Sequence, residues 1–232
     1  MTNTEKNRGN TRKHLDAGVR NILRVWARAT EDERVDGATW YARAHAIARS
    51  HSDDTGHELT TCAAVLSAIS PNNSWGTNVA QAREMLWSTS DDELTAVSVS
   101  TYDAGLKARK ILRGELLAEC GKTTQRRTHA FCHGRAYSRA PKTSAFFRLI
   151  RDGGNDYDVC VDGHAYNIYA GVGRTLKDAG SLNAGQYREA AEAYRAAAEI
   201  AGVPPHVMQA TTWLAQRRIL DRAARHNDPQ NA

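Results

Sequence analysis

The chain has 232 residues, a formal charge of +5 and a pI near 9.1, enough length for one large domain or two small ones. At 41% hydrophobic and 25% charged it has the make-up of a globular chain with a real core, and 17 glycines with 5 prolines exclude collagen-like and low-complexity classes. No apolar run reaches the roughly 20 residues of a membrane helix. The polar residues 1–12 do not resemble a signal peptide. Cys62, Cys120, Cys132 and Cys160 form no CxxC and are too sparse for a disulfide scaffold, so a reducing, cytoplasmic location is expected.

The hydrophobic period is close to 3.6 almost throughout. Leu15, Val19, Ile22 and Trp26 mark a first helix, and Trp40, Ala44, Ile47 and Ala48 a second. A third carries Leu59, Cys62, Ala63, Leu66 and Ile69 and stops at Ser70-Pro71, because a residue before proline is driven out of the α region. Ser74 is placed to cap a fourth with Val79, Ala82 and Leu86. Residues 102–113 form a short fifth helix and 142–150 a sixth, ended by Asp152-Gly153-Gly154. Asp162 caps a seventh that runs through Ala170. Tyr187, Ala191, Tyr194 and Ala198 stripe an eighth that ends at Gly202, and Pro204-Pro205 opens a ninth. Residues 157–161 are strand-like but too short and too isolated for a sheet. The expected fold class is all-α, about nine helices with no significant sheet. Residues 1–12 and 224–232 are expected to be frayed tails around one helical unit, 13–223.

Charge is unevenly spread. Residues 122–151 contain Lys122, Arg126, Arg127, Arg135, Arg139, Lys142, Arg148 and Arg151 and no acidic residue, a block of +8 interleaved with aromatic and histidine side chains. The remaining 23 basic and 26 acidic residues leave −3 elsewhere. Such a block suits phosphate contacts, which dominate affinity for nucleic acid; a solvated loop with incidental charge is the competing reading. Cys120, His129, Cys132 and His133 match no usual zinc spacing, so no metal is expected.

Two residues carry potential chemistry. Lys142 opens the sixth helix out of the basic block, and Asp162 stands twenty residues later at a helix start after an apolar run. A lysine amine made nucleophilic by neighbouring cations can attack a sugar C1′, and a carboxylate held by helix-end amides can stabilise an oxocarbenium ion or help activate the nucleophile. Phosphate binding by Lys142 and plain helix capping by Asp162 account for the same spacing.

Several stretches, in order, resemble a known family. Lys142-Thr143-Ser144-Ala145 followed by Val161-Asp162-Gly163-His164 resembles the K-T-A…V-D-x-H signature of helix-hairpin-helix DNA glycosylases of the endonuclease III type. Upstream, Ala64-Val65-Leu66-Ser67-Ala68-Ile69-Ser70 with Asn78 is similar to that family's V-L-L-S-A-Q-A-T…N helix and turn. The stretch from Tyr102 through Lys107 to Ile111 resembles its Y-x-x-K-A-x-x-I helix. The likeness covers roughly residues 57–220. The family's L-P-G-V-G-x-K hairpin is replaced by His133-Gly134-Arg135-Ala136-Tyr137-Ser138-Arg139-Ala140-Pro141-Lys142. A degenerate hairpin, with W-Y-x-x-A-H at 40–45 and A-x-S-P-x-x-S-W at 68–75, is similar to small phage-type members.

The resemblance implies a two-lobed glycosylase-like fold, with a lobe at 57–120 and another from 13–56 and 184–223 packed with 121–183. It implies Lys142 as Schiff-base nucleophile and Asp162 as catalytic carboxylate on a base flipped out of the duplex. The base pocket would draw on Ser70, Asn72, Asn73, Trp75, His164 and Tyr166, and DNA would be held by Lys107, Lys122, Arg126, Arg127, Arg135, Arg139 and Arg148. The implied partner is duplex DNA with a damaged or modified base, bound by a monomer with no membrane association. No cysteine quartet follows the last helix, so neither an iron–sulfur cluster nor any other cofactor is expected. The implied activity is DNA N-glycosylase, with or without cleavage at the abasic site. A thymine-hypermodifying transferase on the same fold and a non-catalytic DNA-binding module are the alternatives.

Overall fold

A computed structural model describes the backbone of residues 3–115, 141–172 and 182–226, with side chains of the terminal helices described from His14 and up to Arg222. Ten helices and no strand occur among the described residues: α1 (Asn3–Ala27), α2 (Glu31–Thr55), α3 (Leu59–Ala68), α4 (Trp75–Trp87), α5 (Asp91–Ala96), α6 (Tyr102–Leu112), α7 (Pro141–Asp152), α8 (Gly163–Ala170), α9 (Ala184–Ala201) and α10 (Pro205–His226). The protein is all-α. No described helix is long and apolar enough to cross a membrane.

Local chemistry sets the helix ends. Ser74 accepts a hydrogen bond from the Thr77 amide, Ser90 from Glu93, Thr101 from Ala104, and Asp162 from Ala165. Asn183 and Gln186 form a reciprocal capping box that opens α9, and Gly202, at φ 68°, closes it in the left-handed region where glycine avoids the Cβ penalty. The short helix α5 has no counterpart in the expected set. Six residues are too few for a visible hydrophobic stripe, yet Ser90-Asp91-Asp92-Glu93 is a capping signature that marks it. Helix α1 starts at Asn3 because each further residue adds a hydrogen bond once the Leu15–Trp26 stripe has nucleated the helix, and α10 runs on to His226.

The chain divides into two compact units, Met1–Trp40 with Asn155–Ala232 and Tyr41–Gly154. The lobe expected at 57–120 falls inside the second unit, and the segment 121–183 is shared between the two. The division falls within α2 itself.

In the first unit, α1 packs along α9 and α8, and α10 closes against α9. Its core holds Ile22, Val159, Val161, Ile168, Tyr187, Tyr194 and Met208. The inward face of α9 carries Ala190, Ala193 and Ala197, all fully buried, and these small side chains let α1 approach closely. Gly37 of α2 serves the same end against α10. A Cβ there would lie 2.1 Å from Thr211 Oγ1 and 2.7 Å from its backbone nitrogen, and a clash with backbone cannot be relieved by a rotamer change. Gly37→Ala is therefore expected to cost about 2–3 kcal/mol, read as a lowered urea midpoint at constant slope.

The second unit is built around α3. Every residue from Cys62 to Ile69 is buried, so this short helix is covered on all sides, sheathed by α4, α6 and α7. Tyr41 and His45, one turn apart on α2, grip α7 at two points. The Tyr41 ring meets Phe146 edge-on at 6.2 Å, and His45 Nδ1 donates to the carbonyls of Ile150 and Arg151 at 3.1 and 2.8 Å. Two carbonyl acceptors require the proton on Nδ1, so this imidazole caps the C-terminal end of α7. The W-Y-x-x-A-H stretch thus has a structural meaning.

Candidate functional site

Each unit holds part of the expected site. In the second unit, α3 ends in the turn Ser70-Pro71-Asn72-Asn73-Ser74 before α4. Ser70 Oγ donates to the Ser67 carbonyl at 2.9 Å, and Ser67 Oγ in turn donates to the Thr143 carbonyl at 2.7 Å, from a fully buried position. This pair of bonds ties the first turn of α7, and with it half-buried Lys142, to the end of α3 from which the turn leaves. Trp75, at the start of α4, packs edge-on against Phe146 of α7 at 6.2 Å, so the residue that follows the turn also meets α7. Ser70, Asn73, Trp75 and Lys142 are therefore parts of one assembly, although the sequence separates Ser67 and Thr143 by 76 residues.

Within the turn, Asn72 is exposed and has φ 56°, an αL conformation that asparagine tolerates better than most residues. The Asn73 side chain turns inward. Its Nδ2 donates to Gln81 Oε1 at 2.6 Å and reaches the Ile69 carbonyl at 3.4 Å. Gln81 Nε2 donates to the Ser98 carbonyl at 2.7 Å, and Ser100 Oγ donates to the Pro71 carbonyl. The loop before α6 is thereby stitched to the turn. Gln81 was not among the expected residues, since a polar residue on a half-exposed helix face carries no distinguishing pattern.

In the first unit, Asp162 caps α8 with Oδ1 accepting from the Ala165 amide at 2.8 Å. The strand-like run before it has no strand partner among the described residues; Tyr187 of α9 holds it. The Tyr187 hydroxyl donates to the Val159 carbonyl at 2.6 Å and receives the Val161 amide at 3.5 Å. One heptad further along α9, the fully buried Tyr194 hydroxyl donates to the Ala165 carbonyl at 3.3 Å, and burial pushes its phenol well above the usual range. Asp162 is thus fixed from both sides by one face of α9. That face is read from the sequence as an apolar stripe, which hides the use of its hydroxyls.

His164 and Tyr166 have packing roles in this unit. His164 lies edge-on to Trp213 of α10 at 6.4 Å, the Arg217 guanidinium sits over that indole at 4.7 Å, and Tyr166 leans on Tyr169 at 5.6 Å. Lys107 is exposed on α6, and Arg148 is half-buried on α7. Lys122, Arg126, Arg127, Arg135 and Arg139 lie outside the described residues, as does most of the +8 block. No group of three or more metal-ligating side chains occurs among the described residues.

The model of a family of unknown function, DUF7178, matches residues 1–220. The chain belongs to that family. No curated protein and no solved structure matches it. In this DUF7178 member the match covers both units, from α1 through most of α10, so all the side-chain arrangements described above fall within the family's own span.

Two further histidines of the DUF7178 chain bear on its behaviour in acid. Burial lowers the pKa of both His51 and His206 below the ordinary value of 6.5. His51 Nε2 has no hydrogen-bond partner among the described residues, while His206 Nδ1 pairs with the Asn155 carbonyl at 2.7 Å. The folded protein keeps these rings neutral at pH values where the unfolded chain has already taken up protons. The unfolded state then binds more protons, and stability falls as pH drops through about 6.5. Urea midpoints are expected to be lower at pH 5 than at pH 7.5, with the difference reduced in a His51→Gln, His206→Gln double variant.

Proposed function

We propose that this protein is a DNA base-acting enzyme of the N-glycosylase type, with Lys142 as nucleophile and Asp162 as the carboxylate that stabilises charge developing on the sugar. The observation that carries the reading is the linkage from Ser70 through Ser67 to Thr143, which gathers the lysine and the base-pocket turn into one unit. The fixed carboxylate of Asp162 and the basic, aromatic make-up of residues 122–151 support it.

In this reading the Lys142 amine forms a bond to C1′ of an extruded nucleotide as the glycosidic bond breaks. The base leaves with the electron pair and takes up one proton from the attacking amine. The C1′–O4′ bond then breaks with its electron pair going to O4′, which takes the second amine proton and becomes a hydroxyl, leaving an imine between Nζ and C1′. Asp162 stabilises the oxocarbenium character of C1′ electrostatically.

The test is a screen of oligonucleotide duplexes carrying damaged and phage-type bases, incubated with the full-length chain and read by nucleoside mass spectrometry. A missing base supports the glycosylase. A base of altered mass assigns the thymine-hypermodifying transferase instead. Binding with no altered nucleoside on any duplex leaves a DNA-binding module.

A further inference from the structure

The hydrogen bonds around Asn73 fix which way its amide faces. The Ser98 carbonyl can only accept, so the group of Gln81 that meets it at 2.7 Å is Nε2, and Gln81 must present Oε1 to Asn73. The group of Asn73 facing that oxygen at 2.6 Å must then be Nδ2. The Ile69 carbonyl on the same side, also an acceptor, enforces the same orientation. Both amide protons of Asn73 are directed into the protein, and no donor among the described residues meets Oδ1. A side chain that in isolation offers donors and an acceptor is reduced here to one acceptor of fixed direction. Exposed Asn72, beside it, has no such constraint.

We infer that Asn73 is a specificity-determining residue of the turn: its Oδ1 accepts a hydrogen bond from an N–H on the edge of the bound base and disfavours bases that present an acceptor there. The donor is either a pyrimidine imide N–H or an exocyclic amine, which share this chemistry. The inference rests on the reading of the protein as a DNA base-acting enzyme. Gln81 acts as a positioning residue, through Asn73 and without touching the base. Ser98, by its carbonyl, sets the polarity of the whole relay.

The experiment measures binding of the full-length chain to labelled duplexes that differ in one unpaired nucleotide. One arm compares thymidine with N3-methylthymidine, and the other compares deoxyadenosine with its analogue lacking the amino group. In at least one arm, removal of the donor is expected to weaken wild-type binding about tenfold, the scale of one hydrogen bond. Asn73→Ala should bring that ratio close to one, and Asn73→Asp, which sets a second oxygen against the Gln81 and Ile69 acceptors in place of Nδ2, should lower it as well. Gln81→Met removes the acceptor that orients Asn73 and should lower the ratio without removing the residue that reads the base. It also carries the test if Asn73→Ala fails to unfold cooperatively. A wild-type ratio of one in both arms, or a ratio unchanged in Asn73→Ala and Gln81→Met, overturns the assignment while leaving DNA recognition standing. Failure to bind any duplex at low salt overturns the DNA reading itself, and this assignment with it.

Discussion

Lys142→Ala should abolish the covalent protein–DNA adduct that borohydride traps by reducing an imine to a stable amine, and base release should fall about a thousandfold or more. The competing account, in which the lysine only contacts phosphate, is separated by Lys142→Arg. An arginine keeps the positive charge and strengthens phosphate contacts but cannot form the imine. A phosphate role predicts that Lys142→Arg retains activity, and a nucleophilic role predicts that both variants are inactive. Neither substitution is expected to unfold the protein. Lys142 is only half-buried in the first turn of α7, and the helix is held by the Ser67–Thr143 bond, the Phe146 ring contacts and the His45 cap. Thermal unfolding of both variants, close to that of wild type, checks this. An adduct still trapped with Lys142→Ala would transfer the nucleophilic role to another amine.

Asp162→Asn should lower turnover about a hundredfold while leaving stability nearly unchanged. Asparagine is as good an N-cap as aspartate, so the bond to the Ala165 amide survives and only the charge is removed. Asp162→Ala loses both and should cost about 1 kcal/mol in addition. The pair of variants therefore separates capping from chemistry. If Asp162→Asn is fully active and Asp162→Ala is merely less stable, the aspartate is a helix cap and nothing more. A steep loss in Asp162→Asn at constant stability requires the negative charge itself.

The sequence made some parts of the site legible because the determining interactions are local. Ser74, Asp162 and Gly202 act within three or four residues of themselves, and Ser70-Pro71 stops α3 by a steric rule between neighbours. The same kind of signal marked α5, through Ser90 and Glu93, but its apolar content was too small to draw notice. The turn at 70–75 and the lysine at 142 were both visible as candidates. Their joining was not, because it depends on a serine hydroxyl meeting a carbonyl 76 residues away. The W-Y-x-x-A-H stretch was visible as a pattern without a purpose until His45 met carbonyls more than a hundred residues downstream.

By itself, then, the sequence determined the helical class, most helix ends and the clustering of base into residues 122–151, since each follows from periodicity, short-range capping or simple counting. Only the tertiary structure decided that the chain parts within α2, so that Lys142 belongs to one unit and Asp162 to the other. It also decided that Tyr187 and Tyr194 spend their hydroxyls on the backbone around Asp162, and that Asn73 presents an acceptor and no donor. Those features rest on directional bonds between groups remote in sequence. A hydroxyl or an amide has the same sequence signature whether it is used or idle, and its partner is fixed only when the helices that carry both have packed.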